Sequence, residues 1–231
     1  MKIHHLHRFD VDFRKAVQIQ ETLRDKLILR NRGLPRRPAI IAGADISYGK
    51  GSDLFFAAIV LLSYPSLSVI EEAYAAEHSS FPYIPGLLSF REGPPLLKAF
   101  ARLRRTPDLV IFDGQGIAHP RGIGLASHLG LFLDIPTIGC AKTRLCGTYE
   151  PVGERVGNHA DLRHDGRLVG AVLRTKERVK PVFVSPGHKI GLARAMEMVL
   201  ACGAGYKLPE PVRLAHLAVN QFRREQDATD G

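Results

Sequence analysis

The sequence predicts an α/β protein in which a mixed central sheet, a three-stranded antiparallel meander plus parallel strands, is flanked by helices. Two observations carry this. Three strand-like runs, 39–47, 53–64 and 67–79, are separated only by Tyr48-Gly49-Lys50-Gly51-Ser52 and by Pro65-Ser66, turns short enough to make antiparallel neighbours. Further along, helical spacing alternates with short apolar runs, the pattern of strands joined by crossover helices. A chain of 231 residues, 45% of them hydrophobic, buries roughly 70–75% of its unfolded surface without needing a metal or disulfide. A single domain over 1–231 is expected, with an ordered core at about 10–224 and a polar tail at 225–231.

Taken in order, residues 11–29 place Val17, Leu23 and Leu27 among charges at roughly helical spacing, and stop before Asn31-Arg32-Gly33-Leu34-Pro35. The three strands follow. After the proline loop at 82–85, helical spacing resumes at 96–103, and Asp108-Leu109-Val110-Ile111-Phe112-Asp113 reads as a buried strand. Residues 123–133 read as a helix and 136–141 as a strand. The order βββαβαβ is the topology of the ribonuclease-H-like fold. The remainder adds a strand pair at 168–175 and 181–184, helices at 189–200 and 211–224, and a frayed polar end.

Lys and Arg number 32 against 23 Asp and Glu, a net charge of +9, and they cluster at 30–37, 102–105 and 174–180. That favours a polyanionic partner, with a merely basic surface or an acidic substrate as the alternatives. Cys140, Cys146 and Cys202 lack C-x-x-C spacing, so they read as small core residues in a reducing compartment. The opening residues lack the apolar core of a signal peptide, and the longest apolar run, 54–62, falls far short of the ~20 residues of a membrane helix. A soluble, cytoplasmic protein with no membrane partner is expected. The His4-His5-Leu6-His7 cluster looks like a surface metal trap but is too local and mobile to form a site.

The stretch Phe81-Pro82-Tyr83-Ile84-Pro85 holds an aromatic between two prolines, each restraining its own φ and the residue before it. Tyr83 is therefore either a cap on the core or a stiff wedge suited to separating stacked bases. Asp45 ends one apolar run and Asp113 another, so each sits where a hydrophobic strand abruptly presents a carboxylate. Alone, each reads as a strand-end turn residue. As neighbours on the first and fourth strands, with Glu92 at a helix entry, they make an oxygen-rich site suited to Mg2+. The glycines of 114–124 match no phosphate-binding fingerprint, which argues against a nucleotide-sugar or cofactor enzyme. They leave a loop whose backbone can approach a ligand closely.

Together these residues resemble the endonuclease V family, repair nucleases that nick nucleic acid beside deaminated adenine. The resemblance runs from about 23 to 222. It rests on Ala42-Gly43-Ala44-Asp45-Ile46-Ser47-Tyr48, on 81–92, and on Asp113-Gly114-Gln115-Gly116-Ile117-Ala118-His119-Pro120-Arg121-Gly122. It continues through Leu125-Ala126-Ser127-His128-Leu129-Gly130, Gly139-Cys140-Ala141-Lys142, Val184-Ser185-Pro186-Gly187-His188 and Arg213-Leu214-Ala215-His216. What it implies is a monomeric DNA repair endonuclease that recognises deoxyinosine. With Mg2+, or Mn2+ as a substitute, such an enzyme hydrolyses the second phosphodiester bond 3′ to the lesion and leaves a 3′-hydroxyl and a 5′-phosphate.

Residue by residue, the resemblance assigns catalysis to Asp45, Glu92, Asp113, Lys142 and His216. Asp45 and Asp113 would bind metal, with Glu92 and His216 acting directly or through water. Tyr83, between Pro82 and Ile84, matches the strand-separating aromatic, and Gly114, Gln115, Gly116, His119, Gly122 and Gly124 match the pocket for a flipped hypoxanthine. Arg91 reads as a phosphate contact or a helix-start salt bridge. The same chemistry on inosine-containing RNA remains open. A non-catalytic nucleic-acid-binding module is disfavoured, since a pure binder gains nothing from acids clustered beside a phosphate. Pro186 places a residue without an N–H in a loop near the site.

Overall fold

The computed structural model of the protein describes residues 1–49 and 51–229. Strands β1 (Ile40–Tyr48), β2 (Leu54–Ser63) and β3 (Val69–His78) form the antiparallel meander. β4 (Leu109–Phe112) pairs parallel with β1, and β5 (Thr137–Ala141) parallel with β4. Beyond β5, three antiparallel strands, β6 (His159–His164), β7 (Arg167–Leu173) and β8 (Val182–His188), complete one sheet in the order β3-β2-β1-β4-β5-β8-β7-β6. Helices α2 (Leu88–Ala101) and α3 (Leu125–Leu133), with α1 (Phe13–Arg24) against α3, cover one face. Helices α4 (Leu192–Ala201) and α5 (Glu210–Thr229) cover the other. The mixed sheet flanked by helices is the one the element order predicts.

Period-two alternation decides which face each strand residue joins. Val110 and Phe112 of β4 cluster with Ala42 and Ala44 of β1 and with Phe100 and Phe132 of α2 and α3. Leu109, Ile111, Ile41 and Ile138 join Val199 of α4 and Val212 of α5 instead. By the same parity, Asp45, Asp113 and Lys142 leave their strands toward the α5 side. Register then brings the carboxylates level. Ala44 pairs with Phe112, and Asp113 N–H donates to the Ala44 carbonyl at 3.1 Å. Gly43 lets α5 close on β1, because a Cβ there would meet the Pro211 carbonyl oxygen at 1.8 Å.

Several expectations are corrected. Helix α2 begins at Leu88, well before the run that signalled it, so Glu92 lies inside the helix. Pro94 and Pro95 hid that start; burial of Phe90, Pro95 and Leu96 outweighs the hydrogen bonds two prolines cannot make. Strand β6 went unread because His159-Ala160-Asp161-Leu162-Arg163-His164 buries only Leu162. The Ser185-Pro186-Gly187 segment is strand and not loop, with Pro186 opposite Ile138 beside a register shift, a place where a sheet tolerates proline. Residues 225–229 are the last part of α5 and not a frayed tail; Asp230, Gly231 and Lys50 of the first hairpin lie outside the described residues. His7 is not mobile surface: its Nε2 lies 2.7 Å from His128 Nε2, among the rings of Phe9, Phe90 and Phe132. Cys140 and Cys202 are core residues, whereas Cys146 is only half-buried. Among the described residues, no helix is long and apolar enough to cross a membrane.

Candidate active site

Where β4 and β5 end beside the second half of β1, carboxylate oxygens of Asp45 and Asp113 and a ring nitrogen of His216 lie within 4.8 Å of one another. His216 arrives on α5 and its Nδ1 donates to Asp45 Oδ2 at 2.7 Å. Asn220, one turn on, donates to the His216 carbonyl at 2.8 Å and accepts from Ser47 Oγ at 2.8 Å, which stiffens that approach. Lys142 Nζ sits 2.5 Å from Asp113 Oδ2. Glu92 comes from α2 on the opposite face. Burial and the charges of Asp45 and Asp113 push its carboxyl up to about 8. Burial and Asp113 likewise raise Asp45 to about 6, against the hydrogen bond from His216. The carboxyl groups are crowded with too little positive charge to ionise together. Their hard oxygen ligands fit Mg2+ or Mn2+ better than a soft metal.

Beside these acids a cavity of about 430 Å³ opens, walled by Tyr83, Glu92, Asp113, Gln115, His119 and Lys142 among others. Tyr83 is 60% exposed at the tip of a loop anchored at both ends by buried Phe81 and Leu87. Phe81 stacks on Phe90 with ring centroids 5.4 Å apart. At the loop's base Gly86 takes φ +80°, a backbone that favours glycine. Its carbonyl accepts from Gln20 Nε2 at 3.0 Å, His119 Nε2 at 3.0 Å and Arg121 Nη2 at 2.6 Å. Arg121 N–H donates to His119 Nδ1 at 3.1 Å, so the ring proton is on Nε2. Burial and the Arg121 charge lower the His119 pKa to about 4, keeping the ring neutral. Gln115 Nε2 donates to the Thr143 carbonyl at 3.0 Å. That fixes the amide's orientation and leaves its buried Oε1 without a protein partner.

The sequence profile of the family described as Endonuclease V matches residues 21–217, most of the chain. This protein belongs to the endonuclease V family. An endonuclease V of Dehalococcoides mccartyi (strain BAV1) is 48% identical over 222 residues, covering 96% of this chain and 99% of the relative. The structure of endonuclease V from Streptomyces avermitilis aligns with a TM-score of 0.91 at 39% identity, over 98% of this chain and 100% of its own. Ciona intestinalis endonuclease V, in complex with a 24mer DNA containing an inosine followed by a ribo-adenosine, aligns at 0.80 with 28% identity, over 92% and 97%.

In this chain Asp45, Asp113, Lys142 and His216 converge, and Glu92, Tyr83, Gly114, Gln115, His119 and Gly124 surround the adjoining cavity. Pro82 is exposed beside Tyr83, and Ile84 packs toward the Phe81 and Leu87 cluster. Arg91 does not line the cavity: its guanidinium lies 4.7 Å from the Phe55 ring centroid and 5.5 Å from that of Tyr48, and its charge partly offsets the rise in the Glu92 pKa. Gly116 commits both main-chain groups, donating to Ser185 Oγ at 2.8 Å and accepting from Gly124 N–H at 2.8 Å. Gly122 N–H donates to the His119 carbonyl at 2.8 Å. Among the described residues, neither glycine lines the cavity.

Sequence reasoning missed Gln20, Ser89 and Asn220, and gave Arg121 no role. Gln20 left a signal: it is a polar residue in the buried stripe Ala16, Ile19, Gln20 and Leu23 of α1. Ser89 lines the cavity while its Oγ bonds His128 Nδ1 at 2.8 Å, a contact no local pattern announces.

Proposed function

We propose that this protein is an endonuclease that recognises deoxyinosine in DNA and, with Mg2+, hydrolyses the second phosphodiester bond 3′ to it, leaving a 3′-hydroxyl and a 5′-phosphate. The observation that carries the reading is the acid cluster at the mouth of a cavity large enough to admit a base, whose rim bears an exposed, anchored Tyr83. Gln115 adds to it. Its unmet acceptor is complementary to a ring N–H, which hypoxanthine has at N1 and adenine lacks.

Asp45 and Asp113 would hold the cation, with Glu92 and His216 joining directly or through water. When bound, Mg2+ supplies charge for the phosphoryl oxygens and a more acidic water. Asp45 is aimed by the proton on His216 Nδ1. Glu92, once ionised, is an acceptor for a proton leaving water, and its raised pKa suits general-base work near neutral pH. Lys142 balances Asp113 and offers its ammonium to the phosphate. Tyr83 fills the gap left by the extruded base.

End-labelled inosine-containing DNA and RNA, each with and without Mg2+, test the reading. A single nick displaced to the 3′ side, in DNA and only with metal, is expected. Cleavage that persists under chelation, or that ignores inosine, overturns it; preference for the RNA arm transfers the same chemistry to that substrate. Stacking on an aromatic is worth ~1–3 kcal/mol per base, so Tyr83→Ala should weaken lesion binding by roughly 5- to 150-fold. Its Mg2+ affinity, followed by calorimetry, should stay at the wild-type value. Undiminished lesion affinity would remove the wedge role.

A further inference from the structure

The acid cluster stands on the rim between the two faces of the sheet, and the cavity opens among α2, α3 and the loops before them. On the other side, the segment between α4 and α5 carries Tyr206, which is 51% exposed. Arg213 Cζ lies 4.4 Å from the Tyr206 ring centroid and Lys176 Nζ 5.9 Å from it. Two hydrogen bonds to Glu210, at 2.7 and 2.6 Å, fix the Arg213 guanidinium. The ring is thus held in place while half of it faces solvent; Lys176 stands over it, and Lys207 follows it in the chain. Lys207 Nζ donates to the Lys142 carbonyl at 3.3 Å, and Thr175 Oγ1 donates to the Lys207 carbonyl at 2.5 Å. These contacts tie the Tyr206 segment to the end of β5, next to the acids. Arg213 also lies one helical turn before His216 on α5.

We propose that Tyr206, with Lys176 and Lys207, is a second nucleic-acid contact that stacks on a base of the strand 3′ to the cut. This rests on the reading of the cavity given above. A strand whose base enters the cavity and whose phosphodiester lies over Asp45 and Asp113 continues across the rim toward α5. Because the cut is 3′ of the base, that continuation is the 3′ flank. Every base offers a π face, so the contact is indifferent to sequence, and the lysines meet phosphate.

The test uses single-stranded deoxyinosine oligonucleotides, one ending just past the cut and one extended by roughly ten 3′ nucleotides, a length within known site sizes. Binding to the full chain is followed by fluorescence anisotropy without divalent metal. Wild type should bind the extended strand about tenfold more tightly. Tyr206→Ala should lose that preference and bind the short strand as wild type does, while Tyr206→Phe should keep it. Lys176→Gln with Lys207→Gln should shrink the preference and flatten its salt dependence. Equal wild-type affinity for both strands, or a preference undiminished in Tyr206→Ala, overturns the proposal. Failure of wild type to favour inosine over adenine in the short strand would instead overturn the reading of the cavity.

Discussion

Asp45→Asn should lower inosine-directed nicking by roughly 10³-fold or more, the scale of removing a group that organises transition-state charge. Asparagine keeps the shape and an oxygen for the Ile46 N–H, which Asp45 Oδ1 accepts at 2.8 Å. It removes the negative charge that would hold a cation and that accepts from His216 Nδ1. Stability should move the other way. The Asp45 carboxyl is raised to about 6 by burial and by Asp113, so its ionised form strains the fold at neutral pH, and a neutral isostere relieves that strain. Single-turnover nicking and thermal denaturation of the same preparation separate the two effects. A large fall in the unfolding midpoint would mark Asp45 as structural, and retained nicking would remove it from the mechanism. A charge that costs stability but is needed for chemistry is the usual mark of a functional site.

Mg2+ affinity should climb as pH rises from about 6 to about 8, by up to about tenfold per pH unit for each proton displaced. The groups concerned are Asp45, raised to about 6, and Glu92, raised to about 8. Because both lie above the ordinary carboxylate range, the folded protein retains protons that the unfolded chain has released. Their contribution to metal-free stability is full below that range and is lost as pH rises through about 6 and then about 8. A cation takes the place of those protons, so it binds more tightly once they have left. Calorimetry at neutral pH in two buffers of different ionisation enthalpy should register proton release on binding. Affinity independent of pH, with no proton released, would exclude Asp45 and Glu92 from the ligand set.

The legible parts of this fold were those written in short windows. Apolar runs of strand length separated by short turns specified β1 to β3, and β4 stood out because Leu109-Val110-Ile111-Phe112 is buried throughout. Strand β6 was illegible because an edge strand that buries Leu162 alone has no alternation to read. Helix α2 was half-legible: propensity argues against a helix through Pro94 and Pro95, and packing of Phe90 and Leu96 overrides it. Arg91 shows the same limit at the site. Its place beside Glu92 was legible, but the seat of its guanidinium near the rings of Tyr48 and Phe55, residues far away in the chain, was not.

Residue order alone placed Asp45 and Asp113 at the ends of apolar runs, Asp113 just past β4 but Asp45 still inside β1, and Tyr83 between restraining prolines, because strand propensity, solvent partition and proline geometry act over a few neighbours. Three-dimensional packing decided the rest. Strand parity and the Ala44–Phe112 register brought the two carboxylates level, and Gly43 let α5 deliver His216 to Asp45. The Gly86 carbonyl gathered Gln20, His119 and Arg121 beneath the Tyr83 loop. Such contacts join residues separated by long stretches of chain, and the energies that select them, burial and hydrogen-bond geometry, exist only once the sheet has closed.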